Sequence, residues 1–335
     1  MLPLDTRGRP LRDLRISVTD RCNFRCVYCM PREFFGRDHA FLPRAELLTF
    51  EEIARLVGIF TSLGVEKVRL TGGEPLVRRE LPVLVGMLAN IPRVRDLTLT
   101  TNGVLMAEHA AALAAAGLHR VTISLDADDD ETFMRMNDAG VPVSRVLAGI
   151  DAAEAAGLGP IKLNMVVKRG WNEHAVLPMA RRFRHGGRIL RFIEYMDVGH
   201  SNGWRLDEVV TADEILRLVS AEFALEPMPP TRPGEVAQRY RYTDGAGEIG
   251  IIASVSRPFC GDCSRARLSA DGQLYTCLFA TAGHDLRALV RGGASDADLE
   301  ADLRRVWAIR DDRYSEIRSA ETVGLAKVEM SYIGG

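Results

Sequence analysis

Between residue 14 and about residue 195, short runs of β-branched and aliphatic residues alternate with longer amphipathic or alanine-rich stretches, and this alternation restricts the possible folds more than any other feature of the chain. Six runs read as strands: 14–18, 67–70, 97–100, 121–125, 161–167 and 189–195. Strands separated by helices are the mark of βα units on a parallel sheet. Thr49 and Glu52 form a capping box ahead of a helix that ends at Gly64, and the alanine-rich stretch 107–116 is a strong helix former closed by Gly117. Six units are fewer than the eight that close a complete barrel, so an open three-quarter barrel and a doubly wound sheet both fit. In either architecture the chemistry gathers at the C-terminal ends of the strands. A cysteine-rich loop follows the first run, Thr71-Gly72-Gly73-Glu74-Pro75 the second and Thr101-Asn102-Gly103 the third, while Ser124-Leu125-Asp126 lies at the fourth.

The pattern changes near residue 200. Thr211 and Glu214 cap another helix, Pro227, Pro229, Pro230 and Pro233 mark a loop, and 238–243 and 249–253 read as strands. Asp271-Gly272 between 266–268 and 274–275 is a hairpin turn, and 284–291 and 296–310 read as helices. The expected division is a body over residues 1–200 and an extension over 201–335, which ends in Gly334-Gly335.

All six cysteines fall in two groups of three, Cys22-x3-Cys26-x2-Cys29 and Cys260-x2-Cys263-x13-Cys277, with none between. Incidental core thiols would scatter. No apolar run approaches the roughly 20 residues needed to span a bilayer, and no signal-like segment opens the sequence, so the expectation is a cytoplasmic protein whose thiols stay reduced. Structural zinc wants four ligands, whereas three thiolates leave a coordination position for a reactant. Zinc with a distant fourth ligand is the alternative at the first triplet, and a Cys3His site with His284 is the stronger alternative at the second. With 43 Lys and Arg against 45 Asp and Glu, the net charge of −2 gives no footprint for nucleic acid. Residues 5–44 are locally basic, with nine Arg against five acidic residues.

SVTDRCNFRCVYCMP, followed by RLTGGEPL and TTNG, resembles the radical S-adenosylmethionine superfamily. FCGDCSRARLSADGQLYTCLF and the terminal SYIGG narrow the resemblance to the GTP 3′,8-cyclases of molybdenum cofactor biosynthesis. The family's fold is an α/β incomplete (βα)6 TIM-like barrel with a C-terminal α+β cluster-binding extension. Its activity is radical cyclisation of GTP to (8S)-3′,8-cyclo-7,8-dihydroguanosine 5′-triphosphate. The resemblance implies one [4Fe-4S] cluster on Cys22, Cys26 and Cys29 that chelates S-adenosyl-L-methionine, and a second on Cys260, Cys263 and Cys277 whose open iron takes the guanine of GTP.

By the same resemblance Tyr28, Gly73, Ser124 and Met196 contact S-adenosylmethionine. Arg15, Arg69, Thr100, Lys162, Arg265 and Arg267 contact GTP. Arg265 and Arg267, at i and i+2 on a strand, would show both guanidiniums on one face, suited to a triphosphate. The family threads Gly334 and Gly335 into the active site, where only residues without side chains fit; a frayed terminus is the alternative. Ser264 stands where the family commonly has Asn. The implied partners are GTP, a reductant protein or other low-potential electron donor, and a downstream cyclic pyranopterin monophosphate synthase. Neither nucleic acid nor membrane is expected, and the chain would be a monomer or homodimer. A different radical S-adenosylmethionine enzyme acting on a peptide or small molecule, and a non-enzymatic zinc-stapled or iron–sulfur electron carrier, are the competing functions.

Overall fold

The computed structural model describes residues 2–319 and 324–334. The six expected runs are strands β1 (Asp13–Ser17), β2 (Lys67–Thr71), β3 (Asp96–Thr101), β4 (Arg120–Ser124), β5 (Lys162–Val167) and β6 (Ile189–Glu194), parallel neighbours in chain order. Their side chains alternate between two environments, as strand geometry requires. Leu14, Ile16, Val68, Leu70, Leu97, Leu99, Leu163, Leu190 and Phe192 are buried beneath the surrounding helices. Arg15, Arg69, Thr100, Ser124, Asn164 and Arg191, in the opposite phase, face the interior of the curl. The helix Phe50–Ser62 starts on the expected capping box: Thr49 Oγ1 accepts the Glu52 amide at 3.1 Å and Glu52 accepts the Thr49 amide at 2.8 Å. Its buried Leu56, Val57 and Phe60 dock it on the sheet.

The later strands are β7 (Leu225–Met228), β8 (Gln238–Tyr242), β9 (Glu248–Ile252), β10 (Arg265–Leu268), β11 (Gln273–Tyr275) and β12 (His284–Asp285). They extend the same sheet at both margins. β9 lies parallel to β6 and β10 parallel to β1, so eight consecutive strands are parallel, with antiparallel β8 and β7 outside one edge and β11 and β12 outside the other. Residues from β1 to β6, β9 and β10 all line one cavity, so the sheet curls around it as an incomplete barrel.

Three expectations differ from the structure in detail. The proline-rich stretch read as a loop contains β7, which accommodates Pro227 because β7 is the outermost strand and pairs on one side only. The run 284–291 opens with β12 before its helix, Leu286–Arg291, starts at the Asp285 cap. The last long helix stops at Ala308, releasing Arg310 to donate to the carbonyls of Cys263 and Thr276. Among the described residues no helix is long and apolar enough to cross a membrane.

Candidate functional site

An open-mouthed cavity occupies the barrel, and both cysteine triplets line it. In the first loop the amides of Cys29 and Met30 both donate to the Cys26 carbonyl at 3.0 Å, making a tight turn, and the Phe24 amide points at Cys22 Sγ at 3.4 Å. Burial, with Glu74 nearby, pushes the Cys22 thiol up to about 12. Burial also drives Cys26 and Cys29 upward, aided at Cys26 by Asp126 and at Cys29 by Cys22 and Glu329. Three partly exposed thiols on one loop, lifted more by burial than Arg25 lowers Cys22, suit an iron cluster, whose metal charge would deprotonate them.

The second loop is braced from outside the motif. The Phe279 amide points at Cys277 Sγ at 3.5 Å and the Cys263 amide donates to the Cys260 carbonyl at 3.2 Å. Burial and Asp312 raise Cys277 to about 12. Burial would raise Cys263 too, but Arg265 and Arg310 outweigh it and bring the thiol down to about 7. Asp5 accepts from Arg9 Nε at 2.6 Å and Arg310 Nη1 at 2.9 Å, while the two guanidiniums donate to the carbonyls of Cys260 and Cys263, each at 2.7 Å. All three side chains are buried. Sequence reasoning missed this brace because its members lie about 300 residues apart. His284, the candidate fourth zinc ligand, pairs instead with Asp302. Among the described residues, no three His, Cys, Asp or Glu side chains converge on a position for a single metal ion. Cubane ligands stand further apart, each on its own iron.

Between the triplets runs a belt of cations. Register sets Arg267, Arg15 and Arg69 side by side on β10, β1 and β2, with Arg265 one step along β10. Arg69 donates to the hydroxyls of Thr100 and Thr122 at 2.7 and 3.1 Å, and Arg191 donates to Asn164 Oδ1 at 3.0 Å. Among the described residues, none of Arg15, Arg69, Arg191, Arg265 and Arg267 forms an ion pair with a carboxylate. Burial and neighbouring guanidiniums push Arg15 and Arg69 down to about 9, Arg191 to about 10 and Arg267 well down, while Asp13 and Glu235 act on Arg15, Arg69 and Arg191 in the opposite sense. Lys162 lines a smaller adjoining cavity that shares Arg15, Arg69, Arg191 and Arg265 with the large one. Arg191 and Asn164 were legible only as polar residues in the inward phase of β6 and β5.

At the first triplet's end, Tyr28, Gly73, Ser124 and Met196 all line the cavity. Tyr28 donates to Asp126 Oδ2 at 2.7 Å; burial lifts Asp126 to about 6 despite that bond. Gly73 also has a local reason: a Cβ there would stand 2.6 Å from the Arg21 carbonyl carbon and 2.9 Å from the Asp20 oxygen. Glu74, missed as a site residue, is buried and lifted to about 7 by burial, against hydrogen bonds from the Asn102 and Leu76 amides and the Thr101 hydroxyl. Gly334 lies inside the barrel, its carbonyl accepting from Arg267 and its α-carbon against Thr71. Gly335 lies outside the described residues.

Residues 16–183 match the Radical SAM superfamily, and residues 188–316 match the family described as Molybdenum Cofactor Synthesis C. A protein of Acidothermus cellulolyticus named GTP 3′,8-cyclase is 55% identical, over 99% of this chain and 98% of its own. One of the same name from Staphylococcus aureus is 49% identical over the same shares. In fold, the chain resembles Streptococcus suis SuiB crystallised with S-adenosylmethionine, with a TM-score of 0.62 at 15% identity, over 92% of this chain and 68% of that one.

Proposed function

Since the chain belongs to the GTP 3′,8-cyclase family of radical S-adenosylmethionine enzymes, and so catalyses the first step of molybdenum cofactor biosynthesis, we propose that its barrel holds both reactants between the cysteine triplets. The observation that carries this reading is one cavity with three thiols at each end and an anion-seeking belt between them. Cys22, Cys26 and Cys29 would hold one [4Fe-4S] cluster and Cys260, Cys263 and Cys277 the other. When bound, the clusters supply the electron that cleaves S-adenosylmethionine and an open iron for guanine.

The chain's own residues do the rest. Tyr28, steadied by Asp126, and Gly73, Ser124 and Met196 orient S-adenosylmethionine at the first triplet. Arg15, Arg69, Arg265 and Arg267, with Thr100 and with Lys162 from the adjoining cavity, receive the triphosphate, where guanidiniums already desolvated bind phosphate oxygens strongly. Gly334 sits where a side chain would collide with Thr71, and the terminal pair Gly334 and Gly335 is assigned the role of assisting catalysis. Residues 1–200 supply six of the barrel's strands and 201–335 the second triplet with the two strands at the barrel's margins, in a cytoplasmic protein acting as monomer or homodimer. A low-potential reductant protein feeds the first cluster, and a cyclic pyranopterin monophosphate synthase takes the product.

Anaerobic reconstitution should give about eight irons and eight sulfides per chain. The reduced protein with GTP and S-adenosylmethionine should then form 5′-deoxyadenosine together with a cyclised nucleotide. Zinc at the second triplet after metal-controlled reconstitution, or 5′-deoxyadenosine without consumption of GTP, would overturn the reading.

A further inference from the structure

Apart from the main core, the described residues contain a small second apolar cluster in which Val198, Phe279 and Tyr314 pack with Met196, Cys277 and Met330. Three segments meet there: the loop after β6, the loop carrying the last cysteine, and the C-terminal segment. Phe279 and Tyr314 stack with ring centres 4.4 Å apart. Against the stack lies a buried charge centre. Asp197 accepts from Lys327 Nζ at 2.8 Å, the Tyr314 hydroxyl at 2.5 Å and Arg318 Nε at 2.9 Å, and Lys327 also donates to the Tyr314 oxygen at 2.8 Å. Lys327 and Asp197 are each 2% exposed. Burial would raise the Asp197 carboxyl, but its cationic and hydroxyl partners hold it below the usual range.

Two residues further on, Glu329 is caught by the same loop. Its carboxylate accepts the amides of His200 and Ser201 at 3.2 and 3.1 Å and the Ser201 hydroxyl at 2.9 Å. Gly199, at φ +73°, allows this: a Cβ there would overlap the Glu329 carboxylate. The Val328 amide between them donates to the Ala280 carbonyl at 2.9 Å. Downstream of these contacts Met330 and Ser331 line the cavity, Ile333 is fully buried, and Gly334 reaches Arg267.

A buried ion pair is a poor source of stability, because desolvation consumes most of its Coulomb energy, but it admits few alternative arrangements. Here it sits where the last residues enter the barrel, on the loop that also presents Met196. We propose that Lys327 and Glu329 are positioning residues that seat the C-terminal segment on residues 197–201, so that one loop sets both the S-adenosylmethionine end of the site and the depth to which Gly334 reaches. The inference rests on the reading of the site given above; the seat itself is tested independently of turnover.

The test uses the full-length, reconstituted protein, comparing Lys327→Met and Glu329→Gln with the conservative Lys327→Arg. Hydrogen exchange at residues 328–333 should accelerate in the first two while the β1–β6 strands stay protected, with iron content unchanged. In the same variants kcat should fall about tenfold or more while KM for GTP and for S-adenosylmethionine holds within about threefold, and Lys327→Arg should recover part of kcat. Gly199→Ala, which acts on Glu329 from the loop side, should reproduce the exchange change if Lys327→Met fails to fold. Unchanged exchange at 328–333 would refute the seat; faster exchange with undiminished kcat would refute its positioning role. If the unaltered protein makes no cyclised nucleotide, the functional reading fails, while the exchange result still decides the seat.

Discussion

Gly73→Ala is the most discriminating single change at the first triplet, because its effect follows from backbone geometry. The added Cβ would stand 2.6 Å from the Arg21 carbonyl carbon and 2.9 Å from the Asp20 oxygen, with the Arg21 oxygen closer still. Carbon at ordinary contact needs about 3.5 Å, so the segment leading into Cys22 must retreat by roughly 0.5 to 1 Å. The opposing atoms are main chain and cannot be relieved by a rotamer change. The Gly73 amide already donates to the Thr19 carbonyl at 2.8 Å and the Glu74 amide to Arg21 at 2.8 Å, so the turn cannot slide without losing hydrogen bonds. Overpacking of this kind costs about 1 to 3 kcal/mol. A misplacement near 1 Å at a reacting centre costs on the order of 10²-fold in rate. The assay is 5′-deoxyadenosine formation per reconstituted cluster, with iron analysis and thermal melting in parallel. The expected result is a melting temperature a few degrees lower and a rate about 10²-fold lower. A variant within about twofold of the parent rate with full iron would refute the argument that Gly73 sets the position of the cysteine loop.

Two further outcomes are expected. The double variant Arg265→Ala with Arg267→Ala should weaken GTP binding by about 10²-fold or more, at about 1.5 to 3 kcal/mol per charged hydrogen bond, while S-adenosylmethionine still binds; calorimetry with each ligand checks this, and unchanged GTP affinity would refute their role. Asp5→Ala should destabilise the protein by about 3 to 5 kcal/mol, since it strands the buried Arg9 without a carboxylate and leaves Arg310 only Asp312, and should lower iron retention at the second triplet selectively. The Asp5 carboxyl is held below its usual 3.8 in the folded chain by Arg9 and Arg7, against burial, so its contribution is present above pH 3.8 and is lost as pH falls through the lowered value. Denaturation of parent and variant across that range checks the sign.

The barrel strands were legible because parallel strands covered by helices need apolar residues in one phase, and Leu14, Val68, Leu97 and Leu163 supply them within runs of ordinary strand length. The two capping boxes at Thr49 and Thr211 were legible for the same local reason. β7 was hidden because its edge position tolerates Pro227. The parallel pairing of β9 with β6 and of β10 with β1 was hidden too, since short runs after residue 238 carry no local sign of which edge they join. Charged residues told least by themselves. Asp5 and Arg310, like Asp197 and Lys327, look like ordinary surface residues until the fold brings them together in the interior.

The strands flanking the barrel's open side, β9 and β10, are consecutive in the chain and joined by residues 253–264, which carry Cys260 and Cys263. The eight parallel strands do not close into a ring, because β9 pairs with β8 and β10 with β11 rather than with each other; one strap joins the two. Because Cys260 and Cys263 ride on that strap while Cys277 comes from the loop after β11, the second triplet is assembled across the seam of the barrel, from segments on either side of β10.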